Sequence, residues 1–164
     1  MPTPIGPIAG NECRLFYNTT LAATFTTAGA VLVTEAIDVS VSLAAGKTDV
    51  MSRASLFKTK LPTLDELSLS FGYLYNSDVG DSLFNAIRAA FLAKTVWHWA
   101  VMDGPLSSPG VKGAQGITFP GIITEFNHEQ PLEGTVVYNL VVDPVRTKVS
   151  NAIVNPAWLT IAAS

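Results

Sequence analysis

The sequence predicts an α+β chain that is mostly β: an antiparallel β-sandwich or open barrel with one flanking α-helix. Three observations carry this. Ile37, Val39, Val41 and Leu43 alternate with Asp38, Ser40, Ser42 and Ala44, the period of two of a half-buried strand. Leu67, Leu69, Phe71, Tyr73 and Tyr75 repeat the pattern more cleanly against Glu66, Ser68, Ser70 and Gly72. Leu83, Phe84, Ile87 and Phe91 instead recur at helical spacing, with Asn85 and Arg88 off the stripe.

Residues 1–10 hold three prolines and two glycines and read as an extended arm. A first short strand is expected over 12–17, and 21–30 gives mixed signals. After the strand within 31–44, a polar segment at 46–55 is too long for an ordinary hairpin turn, and strand character returns at 56–61. The helix is expected to be capped by Asp78 or Asp81, whose carboxylate can accept from the free N–H groups of the first turn; Lys94 falls near its end, where the dipole favours a cation. An aromatic strand at 96–102 stops at Asp103-Gly104-Pro105, and a Gly, Ser and Pro loop runs from 106 to 116. Two strands, 117–128 and 135–142, join around Pro131 and Gly134. Short strands are expected at 149–154 and 158–161. With no internal repeat and no shift of composition, residues 1–164 read as one domain.

Charge is scarce. Hydrophobic residues make up 48% and charged residues 14%, where an ordinary soluble domain carries roughly 25% charged. So little charge leaves a monomer short of wetting surface and points to burial against other subunits. Net charge is −3 and the ten Lys and Arg form no tight cluster, which argues against a nucleic-acid binder that must neutralise phosphates. The single cysteine, Cys13, requires no oxidising compartment. No signal-peptide pattern opens the chain and no apolar run approaches the ~20 residues of a membrane helix, so a soluble product made inside the cell is expected.

Catalytic chemistry finds no support. His98 and His128 stand far from each other and from Cys13, without metal-ligand spacing, and read as packed or surface residues. Gly46-Lys47-Thr48 resembles the end of a phosphate loop, but position 41 is Val where glycine is needed. Ser55-Leu56-Phe57-Lys58 matches Ser-x-x-Lys in strand-like sequence without a partner motif, and Asn18-Thr19-Thr20 is a glycosylation sequon without a secretory signal. No catalytic, metal-binding or cofactor-binding residue is assigned, and no cofactor is expected.

One block carries a family resemblance: Asp38-Val-Ser-Val-Ser-Leu-Ala-Ala-Gly-Lys-Thr-Asp-Val, Arg53-Ala-Ser, Leu61-Pro-Thr-Leu-Asp-Glu-Leu-Ser-Leu and Phe84-Asn-Ala-Ile-Arg-Ala-Ala-Phe-Leu. Val101-Met-Asp-Gly, the strand at 121–126 and Glu129-Gln-Pro-Leu-Glu-Gly add to it. In order and spacing, residues 31–142 resemble the major tail tube proteins of siphophages. The resemblance implies a structural virion protein, not an enzyme, that forms hexameric rings stacked into a hollow tube for DNA ejection. It implies a lumen wall for which Asp38, Ser40, Ser42, Glu66, Ser68 and Ser70 are the candidates. It also implies that the long loop reaches a neighbouring subunit, through Lys47, Thr48, Asp49, Val50, Met51, Ser52 and Arg53. Expected partners are further copies of the chain, a tape-measure protein, a tail terminator and tail-tip proteins. DNA would pass without specific binding, no membrane is involved, and the setting is the virion tail after assembly in the host cytoplasm. Two other readings stay open: the tube of a gene transfer agent or secretion-type injection machine, and a small-molecule-binding β-barrel using Trp97, Trp99 and Tyr138 as a pocket.

Overall fold

This computed structural model describes residues 14–50, 59–75, 80–106, 114–129 and 134–161. The arm at 1–10 lies outside them. In chain order the described elements are β1 (Arg14–Asn18), β2 (Val31–Leu32), β3 (Ala36–Val50), β4 (Thr59–Leu74), α1 (Ser82–Ala93), β5 (Trp97–Met102), β6 (Ala114–Glu129), β7 (Val137–Pro144), β8 (Thr147–Val149), β9 (Ala152–Val154) and β10 (Ala157–Ile161). The main sheet is antiparallel throughout, in the order β2-β1-β5-β6-β7-β4-β3, with β10 also paired to β6.

Its two ends are neighbours in the chain. The Val33 N–H donates to the Leu15 carbonyl (2.9 Å), while the Glu35 carbonyl accepts from the Leu74 N–H (3.0 Å). The few residues between β2 and β3 therefore bridge from the β1 side to the β4 side, which forces the sheet to curl. Trp99 on β5 and Phe71 on β4 show the curl directly. They stand three strands apart, about 14 Å on a flat sheet, yet their ring centroids are 5.9 Å apart. The architecture is the open barrel with one helix that the sequence predicts.

Inside the curl lie Leu15, Tyr17, Leu67, Leu69, Phe71, Tyr73, Trp97, Trp99, Phe119, Ile123, Leu140 and Val142, all buried. The helix adds Phe84, Ile87 and Ala90 to that core. A smaller core on the other side of β1, β5 and β6 joins Phe16, Phe25, Ala100, Met102 and Ala114. Asn18 secures its cover. Its Nδ2 donates to the Thr26 and Ala28 carbonyls (2.9 and 3.0 Å), and its Oδ1 accepts from the Thr20 N–H (2.9 Å).

Several boundaries differ from the sequence reading. The strand expected to end at Ala44 runs on to Val50, paired with residues 59–62, so Gly46, Lys47, Thr48, Asp49 and Val50 belong to β3 rather than to a loop. Met51, Ser52 and Arg53 lie outside the described residues. β6 begins at Ala114, not 117, because Asp103 anchors it: the Asp103 N–H donates to the Gln115 carbonyl, and its Oδ1 accepts from the Gln115 N–H (2.9 and 2.6 Å). The single strand expected over 149–154 is two, β8 and β9, since Ser150 and Asn151 take φ of 50° and 67° and turn the chain back in a two-residue hairpin.

Asp81 caps the helix. Its Oδ1 accepts from the Phe84 N–H (2.9 Å), and the buried Tyr73 hydroxyl donates to the same carboxylate (2.9 Å). The cap therefore also fixes α1 to β4. Lys94 takes the left-handed C-cap position (φ 52°), with its Nζ 4.1 Å from the Phe91 ring centroid. Replacing Asp81 by Ala should cost about 2–3 kcal/mol, a lost cap plus an unpartnered phenol. Asp81→Asn should recover most of that, as read by urea unfolding.

Candidate functional site

One side of the β3-β4-β7-β6 wall faces away from the core, and its composition singles it out. Directly opposed residues share a face, so the register assembles it row by row. Ser40 opposes Ser70, which opposes Val141, which opposes Glu125. Ser42 opposes Ser68, and Ala44 opposes Glu66. Gly72, Asn139 and Asn127 form the next row. The structure thus brings five of the six predicted wall residues, Ser40, Ser42, Glu66, Ser68 and Ser70, onto one surface.

The sixth, Asp38, sits apart. A β-bulge between Ile37 and Ser40 sets two residues of β3 against one of β4, and Asp38 takes φ of 51° within it. The bulge also corrects the expected inward position of Ile37. That residue pairs with Gly72 and so lies on the outward face, while Val39 and Val41 pack on the core. Gly72 is required by this crossing, since a Cβ there would stand 2.8 Å from Ile37 Cγ1.

Residues from β6 and β7 complete the wall, and alternation alone did not point to them. A second bulge between Ile123 and Glu125 turns Thr124 and Glu125 outward in succession. Thr124 Oγ1 donates to Asp143 Oδ2 (2.8 Å), and Asn127 Nδ2 to Glu125 Oε2 (3.4 Å). The segments that build the wall, 40–44, 66–72, 124–127 and 139–143, contain Glu66, Glu125 and Asp143 but no Lys or Arg. The surface is polar and mildly acidic.

From the Ser42–Ser68 row of this wall onward the β3-β4 pair leaves β7 and continues as a two-stranded ribbon. β4 pairs with β7 only from Leu69 onward, so residues 59–68 have β3 as their one strand partner among the described residues. The outer edge of β3 is likewise unpaired among them. Free edges of this length invite pairing with another chain.

Trp97, Trp99 and Tyr138 do not make a binding pocket. Trp97 and Trp99 are buried in the barrel, where Trp97 stacks on Tyr17 at 4.4 Å. Tyr138 stands over the helix side, 4.7 Å from Phe84 and 5.1 Å from Phe126. His128 is exposed beside Tyr138, ring centroids 5.4 Å apart, whereas His98 is buried and meets the Phe25 ring edge-on at 5.3 Å.

Titration reflects packing. Burial, then the Asp81 carboxylate, pushes the Tyr73 phenol far above its ordinary range, and burial alone raises Tyr17. Burial lowers His98 below its ordinary 6.5, and its Nδ1 has no partner among the described residues.

No family model and no curated protein matches the chain. Solved structures do. The SPP1 tail tube is similar over 95% of this chain and 80% of that one, with a TM-score of 0.63 and 15% identity. The tail of an empty gene transfer agent particle, refined with C6 symmetry, is similar over 85% and 95%, at 0.62 and 15%. A chain in the baseplate of the anti-feeding prophage, six-fold symmetrised, is similar over 97% of each, at 0.52 and 9%. The chain has the fold of tail tube proteins.

A depressed imidazole lets the unfolded chain take up the proton first, so stability should fall as pH drops below 6.5. We expect the loss to reach about 1.4 kcal/mol per pH unit. Thermal melts between pH 7 and pH 5 should show it in the wild type, and His98→Leu should flatten that difference.

Proposed function

We propose that the chain is a major tail tube subunit, a structural virion protein whose rings of six stack into a hollow conduit for DNA. The observation that carries this is the fold likeness to the SPP1 tail tube and to a six-fold gene transfer agent tail. The serine-rich wall forms the lumen, with Ser40, Ser42, Glu66, Ser68 and Ser70 toward the passing DNA and Asp38 at its margin. A wall without cations gives phosphates nothing to hold, so DNA slides rather than binds. The free edges of the barrel are satisfied by neighbouring copies, and the ribbon that includes Lys47, Thr48, Asp49 and Val50 reaches out to them. Stacking is head-to-tail and does not close on itself, so the length of the tube is set by other proteins, a tape-measure protein and a terminator, with tail-tip proteins at one end. No helix among the described residues is long and apolar enough to cross a membrane.

Purified protein viewed by negative stain, with light scattering on the same sample, should give rings or hollow tubes; a monomer at all concentrations would sink the reading. The lumen assignment has its own test. Ser42→Lys with Ser68→Lys should leave tubes intact yet make them retain short duplex DNA at low salt and release it as salt rises. Wild-type tubes should retain none.

A further inference from the structure

The outward face of β1, β5 and β6 lies under a cover made by residues 19–30. Register sets Asn18, His98 and Pro120 in one row of that face, and Phe16, Ala100 and Thr118 in another. Phe25 is the one buried residue among 19–30; the others are half-buried or exposed. Its ring meets the His98 imidazole edge-on, with centroids 5.3 Å apart. Asn18 ties down both ends of the cover, accepting from the Thr20 N–H and donating to the Thr26 and Ala28 carbonyls. A turn in which the Ala30 N–H donates to the Thr27 carbonyl, with Gly29 at φ 78°, then leads into β2. Among the described residues, one aromatic ring and one carboxamide are thus the principal ties between cover and sheet.

His98 is the weak point beneath it. The side chain is 2% exposed, and its Nδ1 has no partner among the described residues. Residues 15–34 contain no Asp, Glu, Lys, Arg or His, and Tyr17 faces the barrel core, so the cover supplies no countercharge. Along the same face β5 offers Ala100 and Met102, β6 offers Thr118 and Pro120, and β10 carries no charged residue. The charged groups of this outward face stand at its margins. Arg14 lies opposite Met102, and Asp143, opposite Ile122, accepts from Thr124 Oγ1. Arg146 follows Val145, whose N–H donates to the Pro120 carbonyl, while Asp103, just past β5, accepts from the Gln115 N–H. A proton added to His98 under a closed cover would leave a cation without water or an anion beside it.

We infer that residues 19–30 form an acid-released cover: protonation of His98 lifts Phe25 from the sheet and opens the segment while the barrel stays folded. The two events are linked because the closed form holds a neutral imidazole and the open form lets it reach water. The open form therefore binds the proton more readily, so falling pH favours opening and rising pH favours closure. Burial lowering the imidazole below 6.5 agrees with that sign. The barrel core lies on the opposite face of the same strands and does not include Phe25, so opening takes no contact from it. What opening uncovers is an apolar strip on the outside of the sheet, with Phe16, Ala100 and Met102 along it. The device belongs to the single chain and does not depend on assembly.

The test is amide hydrogen exchange on the full chain between pH 7 and pH 5, corrected for the intrinsic rate at each pH. Below 6.5 the amides of Thr20 and Ala30 should lose protection by up to about tenfold per pH unit. Amides of β4 and β7 should stay far better protected than the cover at every pH. His98→Gln should abolish the pH dependence of the cover. Phe25→Ala should leave the cover open at pH 7 and, in an NMR titration, return the imidazole toward 6.5. If cover and barrel amides lose protection together, acid acts by global unfolding and the inference is wrong. It is equally wrong if the pH dependence survives His98→Gln, or if His98 titrates alike in Phe25→Ala and the wild type. Should His98→Gln fail to fold, the Phe25→Ala titration decides.

Discussion

Between the Leu15 carbonyl, which accepts from Val33, and the Leu74 N–H, which donates to Glu35, only a short length of chain connects opposite ends of the sheet. That link is the constraint on which the rest of the molecule depends. A sheet of this many strands can stay open, but its first and last strands cannot be neighbours in the chain unless it rolls up. Rolling turns one face inward, and only a large aromatic payload fills the space enclosed. Trp97, Trp99, Phe71, Tyr73, Phe119 and Tyr17 supply it. The same curl leaves the other face of β3, β4, β7 and β6 outward, without a helix over it among the described residues, and so available to carry the serine rows.

Rolling does not finish the job. The link closes the barrel near β2, whereas β3 runs to Val50 and β4 starts at Thr59, well beyond the strands they leave behind. A two-stranded ribbon is marginal alone in water. Here it is rooted in a sheet, yet its free edges and the exposed Leu43 at its base remain a cost until something covers them.

Much of this was legible in the residues, because alternation reports face directly. The serine rows follow from reading Ser40, Ser42, Ser68 and Ser70 as out of phase with Val41, Leu67, Leu69 and Phe71, and the structure sets them opposite one another. The helix and its Asp81 cap were legible for a similar reason: spacing and cap chemistry are local. What failed depends on partners far away in sequence. The bulge at Asp38 moves Ile37 to the outer face, and no property of Ile37 announces it. Strand character at Lys47 and Thr48 comes from pairing with residues 61 and 62, and not from their own propensity. The wall residues Thr124 and Glu125 were hidden by a bulge that breaks the very alternation used to find strands.

The interruption between β7 and β10 illustrates how a sheet can leave a gap without any unusual residue. Had the chain continued straight from Pro144 along β6, β4 would have gained a partner and the ribbon would have been absorbed into the barrel wall. Val145 still donates to the Pro120 carbonyl (2.9 Å), so the strand is followed as far as the departure point before the β8-β9 hairpin leaves. The hairpin turn is short and well specified, with Ser150 and Asn151 at positive φ, and it returns the chain to the same edge of β6 in time for Trp158 to face Ile117 rather than a packed core. The excursion therefore does two things at once. It denies β4 its inner neighbour, which keeps the ribbon free, and it lines the resulting gap with Ile153, Val154 and Trp158. Val154 of the hairpin is itself buried, so the excursion contributes to the core as well as to the gap.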